Sequence, residues 1–188
     1  MEAALAGGIR LVQLRERDLP IRELLNLARQ MRTLTSQYRA KLLINDRIDI
    51  CLAVEADGIH LRSNRLPAPV VRKILGSHKL IGVSTHSLEE AWQAEAEGAD
   101  FIVLGPIYET RSKLAFGAPL GLETLRAAGK FIKIPLLALG GIQRQQVRKV
   151  MGAGADGIAL ISAILMSENP RQATLDLISE LGEPGSSH

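Results

Sequence analysis

The sequence predicts an α/β fold in which parallel strands alternate with helices, and three observations support this class. Short runs of consecutive apolar residues recur along the chain, as expected of strands that are buried on both faces of a parallel sheet. An amphipathic stretch follows each run. An Ala-Asp pair precedes three of the runs, at residues 56–57, 99–100 and 155–156, which indicates that one βα unit is repeated.

Seven runs qualify as strands, and helices are predicted between them. One helix is predicted from Pro20 to Ser36, with the proline in its first turn. Another is predicted from Ser87 to Glu97, with Ser87 and Glu90 placed as a capping box. The predicted strands are Ile9–Leu14, Lys41–Asn45, Gly58–Leu61, Leu80–Ser84, Phe101–Gly105, Ile134–Leu139 and Gly157–Ile161.

This alternation fits either an open doubly wound sheet or a (β/α)8 barrel. The chain has no glycine-rich dinucleotide fingerprint, which favours the barrel. The predicted fold is therefore a (β/α)8 TIM-barrel type that lacks the first strand, because residues 2–8 are typical of the end of a helix. The two edges left unpaired would be an aggregation hazard unless another segment or another chain covers them. Residues 1–181 are predicted to form a single barrel domain and residues 182–188 a flexible tail.

The composition suits a protein that binds small anions rather than nucleic acid. The chain has 188 residues, 46% of them hydrophobic, which is enough for one well-cored domain. Its formal net charge is +3, and basic and acidic residues are interspersed, so the excess suits local anion pockets. Aromatic residues make up 3%, which leaves little for base stacking, and no nucleic-acid partner is expected.

The sequence carries no sign of secretion or membrane insertion. No stretch resembles a signal peptide, and no apolar run is long enough to span a bilayer. Cys51 is the only cysteine, so no intrachain disulfide can form. We therefore expect a cytoplasmic protein without a membrane partner, in which Cys51 packs a helix rather than acting as a reactive thiol.

Polar side chains follow every predicted strand, at the end where a (β/α)8 barrel places its active site. Alternation puts Gln13, Arg15 and Arg17 on one side of the first strand. The loop from Gly105 to Lys113 carries hydroxyls and cations, which are charge-assisted donors for an anion. The remaining strand ends carry Asn45 and Asp46, His60, Ser84, Gly141, and Ser162 after Ile161.

One carboxylate, several cations, hydroxyls and glycine-type backbone sites together predict a phosphate or diphosphate site, with Mg²⁺ as an accompanying cation. Backbone donors after the last two strands are a frequent phosphate site in this architecture. Each residue alone is also explained as a helix cap or a solvated turn, so only the set indicates a ligand. The sequence lacks a Ser-His-Asp arrangement, a zinc-ligand spacing and a P-loop motif.

The ordered motifs resemble those of the thiamine phosphate synthase family and its thiazole-tautomerase-like paralogues. The similarity runs from about Gly7 to Leu181, and the order and spacing of the segments carry it. The matching segments are Val12–Arg17, Ile44–Arg47, Ala56–Leu61, Ile81–His86, Gly105–Thr110, Ala138–Ile142 and Gly154–Ala159. The resemblance implies a transferase that couples hydroxymethylpyrimidine diphosphate with thiazole phosphate and releases diphosphate.

The resemblance also implies roles for the residues at the strand ends. Arg15, Arg17 and Lys113 would carry catalysis by holding diphosphate, with Arg17 where the family usually has lysine. Asp46 would ligate Mg²⁺. The substrate-binding residues would be Gln13, Asn45, His60, Ser84, Thr110, Ser112, Gly141, Ile161 and Ser162, with the last three cradling the thiazole phosphate.

One departure from the family pattern puts the metal in doubt. After the strand that holds His60, the family pattern is Gly-Gln-x-Asp, in which the aspartate supplies a second metal carboxylate. This chain has Arg62-Ser63-Asn64-Arg65 there, so Arg65 stands where the aspartate is expected. A guanidinium cannot ligate Mg²⁺, although it could neutralise diphosphate directly.

Two alternative functions follow from the same resemblance. The tautomerase-like paralogues also lack the second carboxylate, but their proposed proton-transfer histidine corresponds to Pro106 here, which leaves His60 and His86 as acid–base groups. A non-catalytic binder of thiamine precursors is the other alternative. In every case the ligands are small phosphorylated molecules, and the uncovered barrel edge makes a homo-oligomer plausible.

Overall fold

A computed structural model gives the structure of residues 1–62, 66–110 and 118–182. Seven strands form one parallel sheet in sequence order, and within the described ranges β1 and β7 each pair on one side only. The predicted barrel that lacks one strand is thereby confirmed as a curled, seven-stranded sheet. The strands are β1 (Leu11–Leu14), β2 (Lys41–Asn45), β3 (Gly58–Leu61), β4 (Leu80–Thr85), β5 (Phe101–Leu104), β6 (Leu136–Leu139) and β7 (Gly157–Ala159).

The strand ends differ from prediction by up to two residues. β6 begins at Leu136 rather than Ile134, and its ladder is limited by Pro135, which has no N–H to donate. The carbonyl of Pro135 still accepts the Ile102 N–H at 2.9 Å. β7 ends at Ala159, two residues before the predicted end.

Helices follow the strands, and the first helix precedes β1, as the opening residues predicted. They are α1 (Glu2–Ala6), α2 (Ile21–Gln37), α3 (Ile48–Ala53), α4 (Ala68–Leu75), α5 (Leu88–Ala96), α6 (Gly121–Phe131), α7 (Val147–Met151), α8 (Ser162–Leu165) and α9 (Pro170–Leu181), with a 3₁₀ turn at Arg144–Gln146. None of the helices in the described part of the chain is both long and apolar enough to cross a membrane.

The predicted start of α5 is confirmed with one change of partner. The Ser87 hydroxyl accepts the Glu90 N–H at 3.1 Å, as expected of an N-cap. The Glu90 carboxylate reaches back to the N–H of His86 at 2.7 Å, one residue before the cap residue itself. The reciprocal bond therefore fixes the turn that joins β4 to α5.

The apolar core lies on both faces of the sheet. Between the strands and the outer helices, Leu42, Ile59 and Ile81 are fully buried in one half, and Ile102 and Leu125 in the other. The concave face is filled by a smaller cluster that contains Leu43, Phe101 and Val103. β2, β3, β4 and β5 each bury consecutive residues, as expected of strands covered on both faces, whereas β1 and β6 bury alternate residues.

Cys51 confirms the packing role predicted for it. Its side chain is fully buried in α3, and Sγ donates to the carbonyl of Gly58 at 3.3 Å. Burial raises the pKa of the Cys51 thiol to about 11, so the thiolate is disfavoured at neutral pH.

The repeated Ala-Asp pairs have a structural function at the amino-terminal ends of the strands. Each aspartate exchanges two hydrogen bonds with one residue of the preceding strand: its N–H donates to that residue's carbonyl, and its carboxylate accepts that residue's N–H. The two distances are 2.9 and 2.7 Å for Asp57 with Leu42, 2.8 and 2.6 Å for Asp100 with Ile81, and 2.8 Å for both bonds of Asp156 with Leu136. These aspartate clamps join β2 to β3, β4 to β5, and β6 to β7.

Arginines reinforce two of the aspartate clamps. Arg32 contacts the Asp57 carboxylate at 2.5 Å, and Arg72 contacts that of Asp100 at 2.6 Å. Burial raises the pKa of Asp57, but the Leu42 N–H and the Arg32 guanidinium outweigh it and lower the pKa overall. The carboxylate is therefore ionised at neutral pH and accepts charge-assisted hydrogen bonds.

Removal of one clamp should destabilise the fold. In Asp57→Ala, the buried N–H of Leu42 and the guanidinium of Arg32 lose their acceptor, so we expect the free energy of unfolding to fall by about 2–3 kcal/mol. Urea unfolding followed by circular dichroism measures the change. The matched control is Asp49→Ala, which removes a carboxylate from the exposed pair with Arg47 and should cost less than about 1 kcal/mol. Equal losses in the two variants would contradict a clamp function.

Candidate active site

Two neighbouring strands end in a chain of amide and carboxylate groups. Gln13 in β1 donates from Nε2 to Oδ1 of Asn45 in β2, at 2.9 Å. Asn45 in turn donates from Nδ2 to Oδ2 of Asp46 at 3.0 Å. The parallel register, with Leu14 opposite Ile44, brings these side chains to one edge of the sheet. The structure thus brings together three of the predicted site residues.

Asp46 is held by the residue that follows the next strand. Its Oδ1 accepts the backbone N–H of Arg62 at 3.0 Å, and its Oδ2 accepts Nε–H of the same residue. The backbone of Asp46 is left-handed, with φ of 55°, and its N–H donates to the carbonyl of His60 at 3.0 Å. Asp46 is therefore oriented by β3 through both its backbone and its side chain.

Positive charge accumulates around this carboxylate. Burial lowers the pKa of the Arg15 guanidinium, the charges of Arg17 and Arg62 lower it further, and only Asp46 raises it. Arg15 and Arg17 follow β1 and are exposed. Two further guanidiniums and one carboxylate thus lie within electrostatic range of Arg15, a balance of charge that suits an anion site.

The arrangement around Asp46 does not fit a bound Mg²⁺. Oδ2 already accepts Nε–H of Arg62 and Nδ2–H of Asn45, and the guanidinium charge would repel a cation brought to the same carboxylate. Within residues 1–62, 66–110 and 118–182, no three His, Cys, Asp or Glu side chains cluster as metal ligands would. Asn64 and Arg65 lie outside the described residues, so the magnesium expectation stays a prediction.

His60 and Ser84 form a buried polar pair on β3 and β4. His60 Nε2 lies 2.7 Å from Ser84 Oγ, and the imidazole is only 4% exposed. Its ring packs against Phe101 with a centroid distance of 5.9 Å. Burial lowers the pKa of His60 to about 4, although the charge of Asp46 opposes the shift. His60 is therefore a neutral hydrogen-bonding group at pH 7, not a cation for an anionic ligand.

The loops after β5 and β6 pack tightly on each other. Ile107 N–H donates to the carbonyl of Leu139 at 2.8 Å, and Tyr108 N–H donates to that of Gly140 at 3.0 Å. Gly141 has φ of 65°, and a Cβ there would lie 2.5 Å from the carbonyl oxygen of Glu109. Only glycine permits this approach, so the predicted phosphate cradle at Gly141 is also a packing position.

The remaining predicted residues are placed less completely. Thr110 is the last described residue of the β5 loop, and Ser112 and Lys113 lie outside the described residues. Ile161 is 61% exposed after β7, and Ser162 is the exposed first residue of α8. These positions border the same end of the sheet, and their ligand contacts stay predictions.

Sequence reasoning missed Arg62 as the partner of Asp46. The available signal was the topology: β2 and β3 are adjacent, and each is followed at once by a charged residue of opposite sign. Because parallel neighbours end at the same edge, Asp46 and Arg62 were candidates for an ion pair.

The neutral state of His60 predicts a specific loss of stability in acid. The unfolded chain binds a proton at His60 near its ordinary pKa of 6.5, whereas the folded chain does so only near 4. Above pH 6.5 the imidazole is neutral in both states, so His60 does not lower the stability of the fold. As the pH falls from 6.5 towards 4, the unfolded chain takes up the proton first, and the folded state becomes less stable relative to it. Between pH 7 and pH 5, we expect His60 to reduce the free energy of unfolding by about 2 kcal/mol.

Urea unfolding of the wild type and His60→Asn at both pH values tests this. The variant should lack this part of the acid loss, because asparagine does not titrate. His78→Asn, which alters an exposed histidine between α4 and β4, is the matched control and should keep the wild-type pH dependence. An identical acid loss in wild type and His60→Asn would refute the assignment.

Several known proteins are similar to most of this chain. A family model described as thiamine monophosphate synthase matches residues 1–164. A putative thiamine-phosphate synthase of Geobacter sulfurreducens is 54% identical over 181 residues, which cover 96% of this chain and 85% of the relative. A thiamine-phosphate synthase of Moorella thermoacetica is 50% identical over 165 residues, which cover 88% of this chain and 79% of the relative.

Solved structures show the same relationship. A thiamine phosphate pyrophosphorylase from Pyrococcus furiosus matches with a TM-score of 0.88 and 38% identity, over 96% of this chain and 86% of that one. A 3-hexulose-6-phosphate synthase matches with a TM-score of 0.72 at 19% identity, over 96% of this chain and 94% of that one, which shows the fold alone. The resemblance drawn from the motifs is confirmed, and the chain belongs to the thiamine monophosphate synthase family.

Proposed function

We propose that this chain is a thiamine-phosphate synthase, a transferase that joins hydroxymethylpyrimidine diphosphate to thiazole phosphate and releases diphosphate. The observation that carries the proposal is the group of charged residues that follow β1–β3, in which Arg62 contacts Asp46 and the charges of Arg17, Arg62 and Asp46 all act on Arg15. An excess of guanidinium groups suits a diphosphate, which presents several oxygen acceptors. The relatives whose names state this activity share 40–54% identity with the chain.

The proposed reaction requires stabilisation of a leaving group. The bond between the pyrimidine methylene carbon and the diphosphate oxygen breaks, and the electron pair leaves with diphosphate. The thiazole nitrogen then supplies its lone pair to the pyrimidine cation and forms the new C–N bond. Negative charge on diphosphate grows as the bond breaks, so fixed guanidiniums stabilise the transition state more than the substrate.

The other end of the sheet edge is proposed to bind thiazole phosphate. Ser84, Thr110, Ser112 and Lys113 would supply donors near the reacting centre. The backbone at Gly141, Ile161 and Ser162 would hold the phosphate at the ends of β6 and β7. His60, neutral and hydrogen-bonded to Ser84, would orient that hydroxyl rather than contribute charge.

The tautomerase alternative has less support, because it needs a mobile proton carrier. His60 titrates near pH 4, far from neutrality. The Nδ1 of His86 lies 2.5 Å from the carbonyl of Gly105, an acceptor, and therefore carries the proton and donates it. Both histidines are thus engaged in structural hydrogen bonds, which supports synthase over isomerase chemistry.

Product formation tests the proposed function directly. The purified chain is incubated with hydroxymethylpyrimidine diphosphate and thiazole phosphate, and thiamine phosphate is measured by chromatography with and without Mg²⁺. Product in either condition that requires both substrates supports the synthase. Tight binding of thiazole phosphate without any product would instead favour a non-catalytic binder.

Loss of either proposed diphosphate cation should slow coupling strongly. Arg15→Ala and Lys113→Ala should each lower the rate about a hundredfold, or about 3 kcal/mol of barrier, while circular dichroism stays unchanged. Arg29→Ala and Lys149→Ala remove the same charges from exposed positions on α2 and α7 and should retain wild-type turnover. Unchanged turnover in both site variants would overturn the site assignment.

A further inference from the structure

Arg62 and Asp46 form a partly buried ion pair. The Asp46 side chain is 12% exposed and that of Arg62 is 28% exposed, so the pair is largely shielded from water. Asn45 adds a third donor at 3.0 Å to the carboxylate. A carboxylate held by three donors is fixed in position, and it fixes the guanidinium in turn.

The described contacts of Arg62 use only part of its donor capacity. The bonds to Asp46 come from the backbone N–H and from Nε, the nitrogen nearest the aliphatic stem. A guanidinium has five N–H groups, so the four on the two terminal nitrogens have no partner among the described residues. Asp46 thus anchors the stem side of the guanidinium and leaves its outer edge for another acceptor.

The surroundings indicate the charge of that acceptor. Arg62 and Arg17 both act on Arg15 as neighbouring positive charges, and Asp46 is the one carboxylate that opposes them. In this group the three guanidiniums outnumber the one carboxylate, so its net charge is positive. A polyanion with several oxygens, such as diphosphate, complements both this charge and the planar donor edges.

A divalent cation competes with this arrangement instead of completing it. At Asp46 the guanidinium of Arg62 would repel Mg²⁺, and Oδ2 already accepts two hydrogen bonds. Arg62 therefore places a permanent cation at the carboxylate that was expected to hold the metal.

We propose that Arg62, anchored by Asp46, binds diphosphate directly and takes the place of a divalent metal at this carboxylate. This inference deepens the proposed function. It rests on that function in one respect, namely that diphosphate is the group released in the reaction. Asp46 is then a positioning residue, and Arg62 contacts the ligand. Binding of inorganic diphosphate should consequently need no metal.

Isothermal titration with inorganic diphosphate tests the proposal, first in EDTA and then in Mg²⁺. The wild type should bind diphosphate in EDTA, with a Kd that Mg²⁺ changes by less than about threefold. Arg62→Gln, which keeps a donor for Asp46 but loses the charge, should weaken binding in EDTA about thirtyfold. Arg62→Lys, which keeps the charge, should recover part of that loss, and circular dichroism checks the fold of each variant.

The matched control is Arg47→Ala, which removes a guanidinium from the adjacent exposed pair with Asp49 and should bind diphosphate like the wild type. Electron paramagnetic resonance gives a second readout, the fraction of added Mn²⁺ that is bound. This fraction is measured on the wild type as well, so the test does not depend on whether one variant folds. The wild type should leave added Mn²⁺ free, and Arg62→Gln should bind it more tightly, since the guanidinium charge that repels a cation at Asp46 is removed.

The outcomes separate this inference from the proposed function. Diphosphate binding that appears only with Mg²⁺, or Mn²⁺ bound by the wild type and lost in Asp46→Asn, would overturn the metal replacement. Thiamine phosphate could still form in that case, and the synthase proposal would stand. Metal-independent binding that depends on Arg62, without any product, would support this inference and refute the synthase.

Discussion

The exchange of two hydrogen bonds between an aspartate and the preceding strand is the constraint on which the sheet depends. Asp57, Asp100 and Asp156 each fix one strand against its neighbour at the end opposite the site. Register in a parallel sheet decides which residues meet at the carboxyl edge, because a slip of one residue turns every side chain to the other face. The pairing of Asn45 with His60 follows from the clamp at Asp57.

Electrostatics at the carboxyl edge differ from those at the amino edge. At the amino edge, the arginines that contact Asp57 and Asp100 neutralise them, so the charges cancel in structural pairs. At the carboxyl edge, Asp46 pairs with Arg62, and the charges of Arg17 and Arg62 act on Arg15, so positive charge is not cancelled there. The same two residue types thus stabilise the fold at one edge of the sheet and prepare an anion site at the other.

Burial decides which polar groups of the site can carry charge. His60 lies under the sheet edge against Phe101, and water exclusion keeps its imidazole neutral. Arg15 lies at the rim and keeps its charge available to a ligand. The site therefore combines a buried, neutral hydrogen-bonding group at His60 with an exposed cation at Arg15. This combination suits the ligand that we propose, which has an aromatic ring and a diphosphate.

The sequence by itself determined the strands, the cap at Ser87, the missing strand and the family, because consecutive apolar runs, cap chemistry and motif order are local properties. It also located Gln13, Asn45 and Asp46 at one edge, since parallel strands end together. The pairing of Asp46 with Arg62 and the neutrality of His60 were decided only by tertiary structure. Residues 16 apart meet through strand pairing, and the pKa of an imidazole depends on the groups that bury it.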